Sequence, residues 1–221
     1  MDGENGGTEK MIARMYCQAN AKSALERGPG WGNSGSMAHD GFAPSNLTGS
    51  LLIAHPSLTD PNFRRTILFL SHHTVEDGAV GLVLNRPLRK TLGEIAASKV
   101  PFALQQAETF YGGPVAMDQV TVANLQWQDD PSSVVFHSYT GLEEIEIGNG
   151  WLPSLRVFLG YAGWTAGQLE GEIEQKAWIV MKPTRDLIEM ATPDDAWRTI
   201  MRASSPSLKL LSEAPDHPEW N

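Results

Sequence analysis

RVFLGYAGWTAGQLEGEIEQKAWIV, residues 156–180, changes its pattern twice within 25 residues. The apolar run Leu155 to Leu159 reads as a strand, and Gly160-Tyr161-Ala162-Gly163-Trp164 reads as a glycine-containing turn that follows it. Thr165 with Gln168 three residues on is a helix-start signature, because the amide of the third residue reaches back to the first turn's unpaired N–H groups. The helix opens near Ala166, with Leu169 and Ile173 four apart on the buried face and Ala166 one turn earlier. Gln168 and Glu172 form a second row, and Glu170 and Glu174 form a third that reads as a solvated acidic face. Ala177 to Met181 then returns to a strand.

Outward from this stretch the chain is strand-dominated. Short apolar runs bounded by turn residues predict strands at Leu51–Ala54, Thr66–Ser71, Ala79–Leu84, Thr109–Tyr111, Gln119–Leu125 and Ser133–Tyr139. Glu76-Asp77-Gly78 predicts a hairpin between the second and third of these. Further helix starts are Thr91 with Glu94, and Thr192 before Pro193 and Asp195. Strands and helices do not alternate one for one, so the fold class is α+β rather than a doubly wound parallel sheet. Residues 1–46, rich in Gly, Ser and Pro over their second half, are expected to be a flexible extension and linker. Residues 47–204 make a single domain, and residues 205–221, with three prolines, a tail.

Composition narrows the chemistry. The 221 residues hold 17 basic and 26 acidic side chains, a net charge of −9, which opposes a broad nucleic-acid surface. The basic groups gather: residues 64–99 hold six against three acidic, whereas residues 100–221 hold seven against seventeen. The single cysteine, Cys17, excludes an internal disulfide and fits a reducing compartment. No apolar run approaches the length of a membrane span, so a soluble, cytoplasmic protein is expected. Gly30-Trp31-Gly32-Asn33-Ser34-Gly35 matches the spacing of a dinucleotide loop but has neither a preceding strand nor a following helix. His72 and His73 are adjacent in a strand and point to opposite faces, and no metal-ligand spacing accompanies them. Neither a metal nor a cofactor is expected.

Four blocks carry a more specific signal: GSLLIAHPSLTDPNFRRTILFLSHH at 49–73, GAVGLVLNRPL at 78–88, YGGPV at 111–115, and the 156–180 stretch. Together, and in this order, they resemble the YqgE/AlgH family of bacterial proteins over roughly Leu47 to Met201. The resemblance implies an α+β fold of coiled, mixed β-sheets with a few short helices. It also implies a cytoplasmic protein with no assigned enzymatic activity, one branch being named for regulation of alginate synthesis.

Within these blocks the candidate ligand-binding residues are Asn85, Arg86, Gly160, Gly163, Trp164 and Gln168, with Glu172 the one candidate catalytic base. Arg86 offers a rigid fork of donors for a carboxylate or phosphate, or for an internal partner such as Asp60 or Glu172. The Gly160–Gln168 turn could expose N–H groups to an anion, or simply use its glycines for close approach and Trp164 for the core. The leading expectation is binding of a protein partner or a small anionic ligand, with an indirect influence on transcription. The alternatives are an enzyme acting on a small anionic substrate through Arg86, Glu172 and that turn, and a direct DNA-binding regulator.

Overall fold

The structure, a computed structural model, separates the chain into units 1–45 and 46–221. It describes residues 46–96, 100–129, 132–139, 154–189 and 195–213. The expected extension with Cys17 and Gly30–Gly35, the Thr192–Pro193 helix start and residues 214–221 lie outside the described residues. No helix among the described residues is long and apolar enough to cross a membrane.

Among the described residues, nine strands form one curled, mixed sheet: β1 (Leu51–Ala54), β2 (Ile67–Thr74), β3 (Gly78–Val83), β4 (Pro87–Thr91), β5 (Glu108–Tyr111), β6 (Val115–Asp129), β7 (Ser132–Tyr139), β8 (Leu155–Trp164) and β9 (Trp178–Met181). The path runs β4-β5-β8-β3-β2-β1-β9, and the β6–β7 hairpin joins along β8. The middle strands read as unbroken apolar runs because both faces are covered. The pleat sends Leu51, Ile53, Phe69 and Leu82 into one core, and Leu52, Ala54, Leu68 and Leu70 into another. The first core is closed by Ile188, Trp197, Ile200 and Met201, the second by Leu47, Trp164, Leu169 and Trp178. Each such fully buried aliphatic side chain contributes about 1.5–3 kcal/mol. The β2–β3 hairpin turns at Glu76-Asp77-Gly78, as its sequence predicts, with Gly78 at φ 89°.

Strand β8 departs from the sequence reading. It continues without a turn through Gly160 to Trp164, so the stretch read as a glycine turn is strand interior. At Val157–Leu159 it pairs with β5 in parallel and with β6 in antiparallel, so those two strands lie on its opposite edges. The chain from β5 to β6 therefore crosses β8, and it does so at Gly112-Gly113. A Cβ on Gly112 would lie 2.1 Å from the Gly160 carbonyl oxygen. Gly160 is at φ 68°, where a Cβ would stand 2.5 Å from the Gly113 oxygen. Two backbones can cross this closely only where neither carries a side chain.

The helices among the described residues are short: α1 (Leu92–Ala96), α2 (Gln168–Glu174), α3 (Arg185–Ile188), α4 (Ala196–Ser204) and α5 (Pro206–Glu213). At α1 the Thr91–Glu94 signature is reciprocal: Thr91 N–H donates to Glu94 Oε2 at 2.7 Å, and Glu94 N–H to Thr91 Oγ1 at 3.3 Å. At α2 only half of it forms, with Thr165 N–H and Oγ1–H both donating to Gln168 Oε1. Gly167, at φ 75°, takes the cap position. Within the expected tail, residues 206–213 form α5, which packs Leu208 on the first core and buries Ser212. Pro206 opens this helix, where its missing N–H costs nothing.

Candidate functional site

Two of the four polar candidates, Asn85 and Arg86, end on one exposed loop. Strands β1 and β2 are antiparallel neighbours, and the chain between them, His55 to Thr66, folds back over their ends. Asp60 starts its central turn. Its carbonyl accepts from Phe63 and Arg64 N–H at 3.0 and 2.7 Å, and its carboxylate from Asn62 N–H at 2.8 Å. Ser57, Thr59, Asp60, Pro61 and Asn62 are exposed. Arg65 then takes φ 58°, an uncommon left-handed angle for a residue with a side chain.

Asn85, at the end of β3, pins that angle. Its Nδ2 donates to the Arg65 carbonyl at 2.9 Å, and its Oδ1 accepts from Ile67 N–H at 2.8 Å. A side-chain amide offers the same donor and acceptor as a peptide unit, so buried Asn85 supplies the bonds a neighbouring strand would give. Arg86, next along, reaches the loop itself. Its Nη2 donates to the carbonyls of Pro61 at 3.1 Å and Arg64 at 3.0 Å, and the guanidinium lies 5.6 Å over the Tyr111 ring. Tyr111 O–H donates to Asn62 Oδ1 at 3.2 Å. Burial lowers the Arg86 pKa and Arg64 adds to that, while Tyr111 and Asp60 oppose it. Burial likewise raises the Tyr111 phenol, with Arg86 opposing.

Phe63 anchors the same loop in an aromatic cluster. Its ring lies 6.3 Å from Trp164 and 5.7 Å from Trp178, and the two indoles meet edge to face at 6.0 Å. Both indole N–H groups donate to Glu172 Oε2, from Trp164 at 2.9 Å and from Trp178 at 2.7 Å. Gln168 Nε2 donates to Glu172 Oε1 at 3.0 Å. Three of the roughly four acceptor positions of the carboxylate are thus taken by the protein. The shared row of Gln168 and Glu172 on α2, legible from their spacing, is what brings the Gln168 amide to the carboxylate that receives the indoles.

The sequence candidates therefore fall into groups. Asn85 and Arg86 hold the loop backbone; Trp164 packs on Phe63, while Glu172 accepts from the Trp164 and Trp178 indoles and Gln168 donates to Glu172; Gly160 serves the backbone crossing, and Gly163 pairs with Val80 inside the sheet. Arg86 and Glu172, proposed as possible partners, are each engaged by other groups.

One buried pair lay beyond the sequence reading. His73 is 1% exposed; its Nδ1 accepts from Leu47 N–H at 3.0 Å, so its proton sits on Nε2 and donates to Glu170 Oε1 at 2.9 Å. Glu170 is thus turned inward rather than standing on a solvated face, while Glu174 is exposed. With both ring nitrogens occupied, His73 has no lone pair for base catalysis. The residues lie 97 apart in sequence, and no local pattern links them.

Comparison with known proteins adds a family. The AlgH-like family pattern matches residues 51–209. A UPF0301 protein of Streptomyces coelicolor is 35% identical over 193 residues, covering 80% of this chain and 96% of that protein. A UPF0301 protein of Dechloromonas aromatica is 32% identical over 186 residues, covering 78% and 97%. Among solved structures, the solution structure of the AlgH protein from Pseudomonas aeruginosa superposes with a TM-score of 0.54 at 30% identity, over 80% of this chain and 98% of that one. A crystal structure from Corynebacterium diphtheriae, at 21% identity and TM-score 0.59, shares the fold over 88% and 98%.

Proposed function

The chain belongs to the AlgH-like family, and from that premise we propose that it acts by binding a protein partner through the loop His55–Arg65. Its compartment in this reading is the cytoplasm, and any influence on transcription passes through the partner. The observation that carries the reading is the use of Asn85 and Arg86: both spend donors on backbone carbonyls of an exposed loop. Holding an exposed loop in one conformation lowers the entropy cost of docking it, and rigid scaffolds commonly present recognition loops this way. The rival, an enzyme with Glu172 as base, is disfavoured because that carboxylate accepts from Trp164, Trp178 and Gln168. Direct DNA binding is disfavoured by the net charge of −9.

Site-specific photocrosslinking in living cells tests this. A photoreactive residue replacing exposed Thr59 should trap one discrete protein, and the same residue replacing exposed Leu210 on α5 should not. Equal trapping at both positions, or none at Thr59, overturns the proposal.

A further inference from the structure

The buried ring of His73 meets two opposed demands, and we propose that it works as a proton-operated latch on the first residues of the unit 46–221: on taking up a proton from solvent it lets go of Leu47 and becomes the ion-pair partner of Glu170. One demand comes from the backbone. Leu47 N–H donates to Nδ1 at 3.0 Å, and that bond needs a lone pair there, so it holds the ring neutral. The other comes from α2. Glu170 Oε1 accepts from Nε2 at 2.9 Å, while its Oε2 is buried with no hydrogen-bond partner. A carboxylate with a buried, unsatisfied oxygen costs free energy, and a full positive charge on the ring beside it lowers that cost. The neutral ring serves the backbone and leaves the carboxylate short. The protonated ring does the reverse, because its new Nδ1–H faces the Leu47 N–H, donor against donor. The site therefore has two arrangements that differ by one proton.

Few other charges face the ring. β3 places Ala79 opposite His73, β8 places Trp164 beyond it, and residues 46–50 carry no ionisable side chain. On α2, Glu172 is turned to the two indoles and Glu174 is exposed. On β2 itself, His72 lies on the other face of the sheet. In the hairpin turn Glu76 and Asp77 are exposed, with Asp77 accepting from Thr74 Oγ1–H. Glu170 is the charged group in hydrogen-bond contact with the ring, and the one an added proton would serve.

What the latch holds is local. From Gly49 on, backbone bonds tie the chain to β2: Gly49 N–H donates to the Leu70 carbonyl at 2.8 Å, and Leu70 N–H to the Ser50 carbonyl at 2.9 Å. These bonds involve no titratable group and persist in either state. Leu47, 2% exposed in the second core, instead has its N–H on the ring. Release loosens residues 46–48 without opening the sheet.

The experiment records the His73 ring nitrogens, the Glu170 carboxyl and the backbone amides by NMR in the full chain, from about pH 8 to about pH 5, the range in which an imidazole changes charge. As pH falls, Nδ1 should gain a proton. In the same step the Leu47 amide should lose its hydrogen-bonded shift and exchange about tenfold faster, while the Gly49 and Leu70 amides stay protected. A ring that stays neutral throughout overturns the proposal, as does a protonated ring with the Leu47 amide unmoved, or a proton on the Glu170 carboxyl with both ring bonds intact. Gly49 losing protection together with Leu47 overturns it too, since acid then opens the domain rather than the latch. Glu170→Gln keeps an acceptor for Nε2–H but no charge to receive the imidazolium, so releasing Leu47 should need about ten times more acid. Release at an unchanged pH would remove the ion pair from the device. His73→Asn sets a carbonyl oxygen near the Nδ1 position on a side chain that is neutral at every pH, so the Leu47 amide should stay protected throughout. An acid response retained in that variant places the titrating group elsewhere and overturns the latch.

Discussion

Phe63 and Arg64 are neighbours in one loop, yet different physics holds them. Phe63 is packed among Trp164 and Trp178, both 3% exposed, and these indoles share a glutamate oxygen. Arg64 is held through its carbonyl by half-buried Arg86, whose bond competes with water. The aromatic support belongs to the core of the domain, whereas the polar support holds mainly the shape of the loop. The pairing separates stability from presentation, because each support can be removed while the other remains.

The aromatic side should give the largest effect. Trp164→Ala removes a buried indole from the second core, strips Phe63 of its stacking partner and leaves one fewer donor on Glu172. A loss of about 3–5 kcal/mol is expected, read from the midpoint of denaturant unfolding. An unchanged midpoint would abolish the distinction between the two supports.

Much of this architecture is legible in the sequence, and what escaped it has a common cause. The β2–β3 hairpin, most of the strands and the α1 capping box depend on residues within a few positions of one another. Trp164 is legible as core because it ends an apolar run. The continuation of β8 through Gly160 is not, since the need for glycine there is set by Gly112-Gly113 arriving from another part of the chain. Asn85 and Arg86 stand out as polar residues after a strand, but their partners lie about twenty residues back in a loop without periodicity. Glu170 looks solvated by helical spacing, and only the fold brings buried His73 against it. Pro206 reads as a breaker, although proline equally opens a helix, and the apolar face that decides between these is seen only against the core.

Asn85→Ala should rank second. It leaves the Ile67 N–H and the Arg65 carbonyl without their partners at a buried strand end, costing about 1–3 kcal/mol by the same unfolding measurement. Because the residue also holds the left-handed angle at Arg65, hydrogen exchange at residues 63–67 should quicken beyond the global change. Exchange rising only in proportion to the lost stability would place Asn85 with the aromatic support.

Arg86→Ala sharpens the contrast from the other side. Its two carbonyl partners lie near water, so the global loss should be about 1 kcal/mol or less. The exposed segment at residues 60–64 should nonetheless exchange its amides faster, and Thr59 crosslinking should fall. A loss as large as that of Trp164→Ala would show that the polar support carries the fold as well as the loop.

The smallest expected effect is a pH dependence where the loop begins. Burial lowers the His55 pKa below its ordinary value near 6.5, and the nearby Lys176 charge lowers it further. The folded protein therefore favours the neutral ring, whose Nδ1 accepts from Ser57 N–H at 3.2 Å. For a depressed value the stabilising contribution is fully present above the unfolded pKa and is lost as pH falls through the folded one. Stability should thus decline slightly as pH falls from about 6.5, and His55→Gln, neutral at every pH, should flatten that part of the profile. Lys176→Gln should remove part of the same slope by deleting the second cause, while Arg86→Ala, whose guanidinium stays charged throughout this range, should leave it intact. Identical slopes in all four proteins would mean that the loop's beginning carries no proton-linked strain, leaving Phe63 and the polar support as the features that set its conformation.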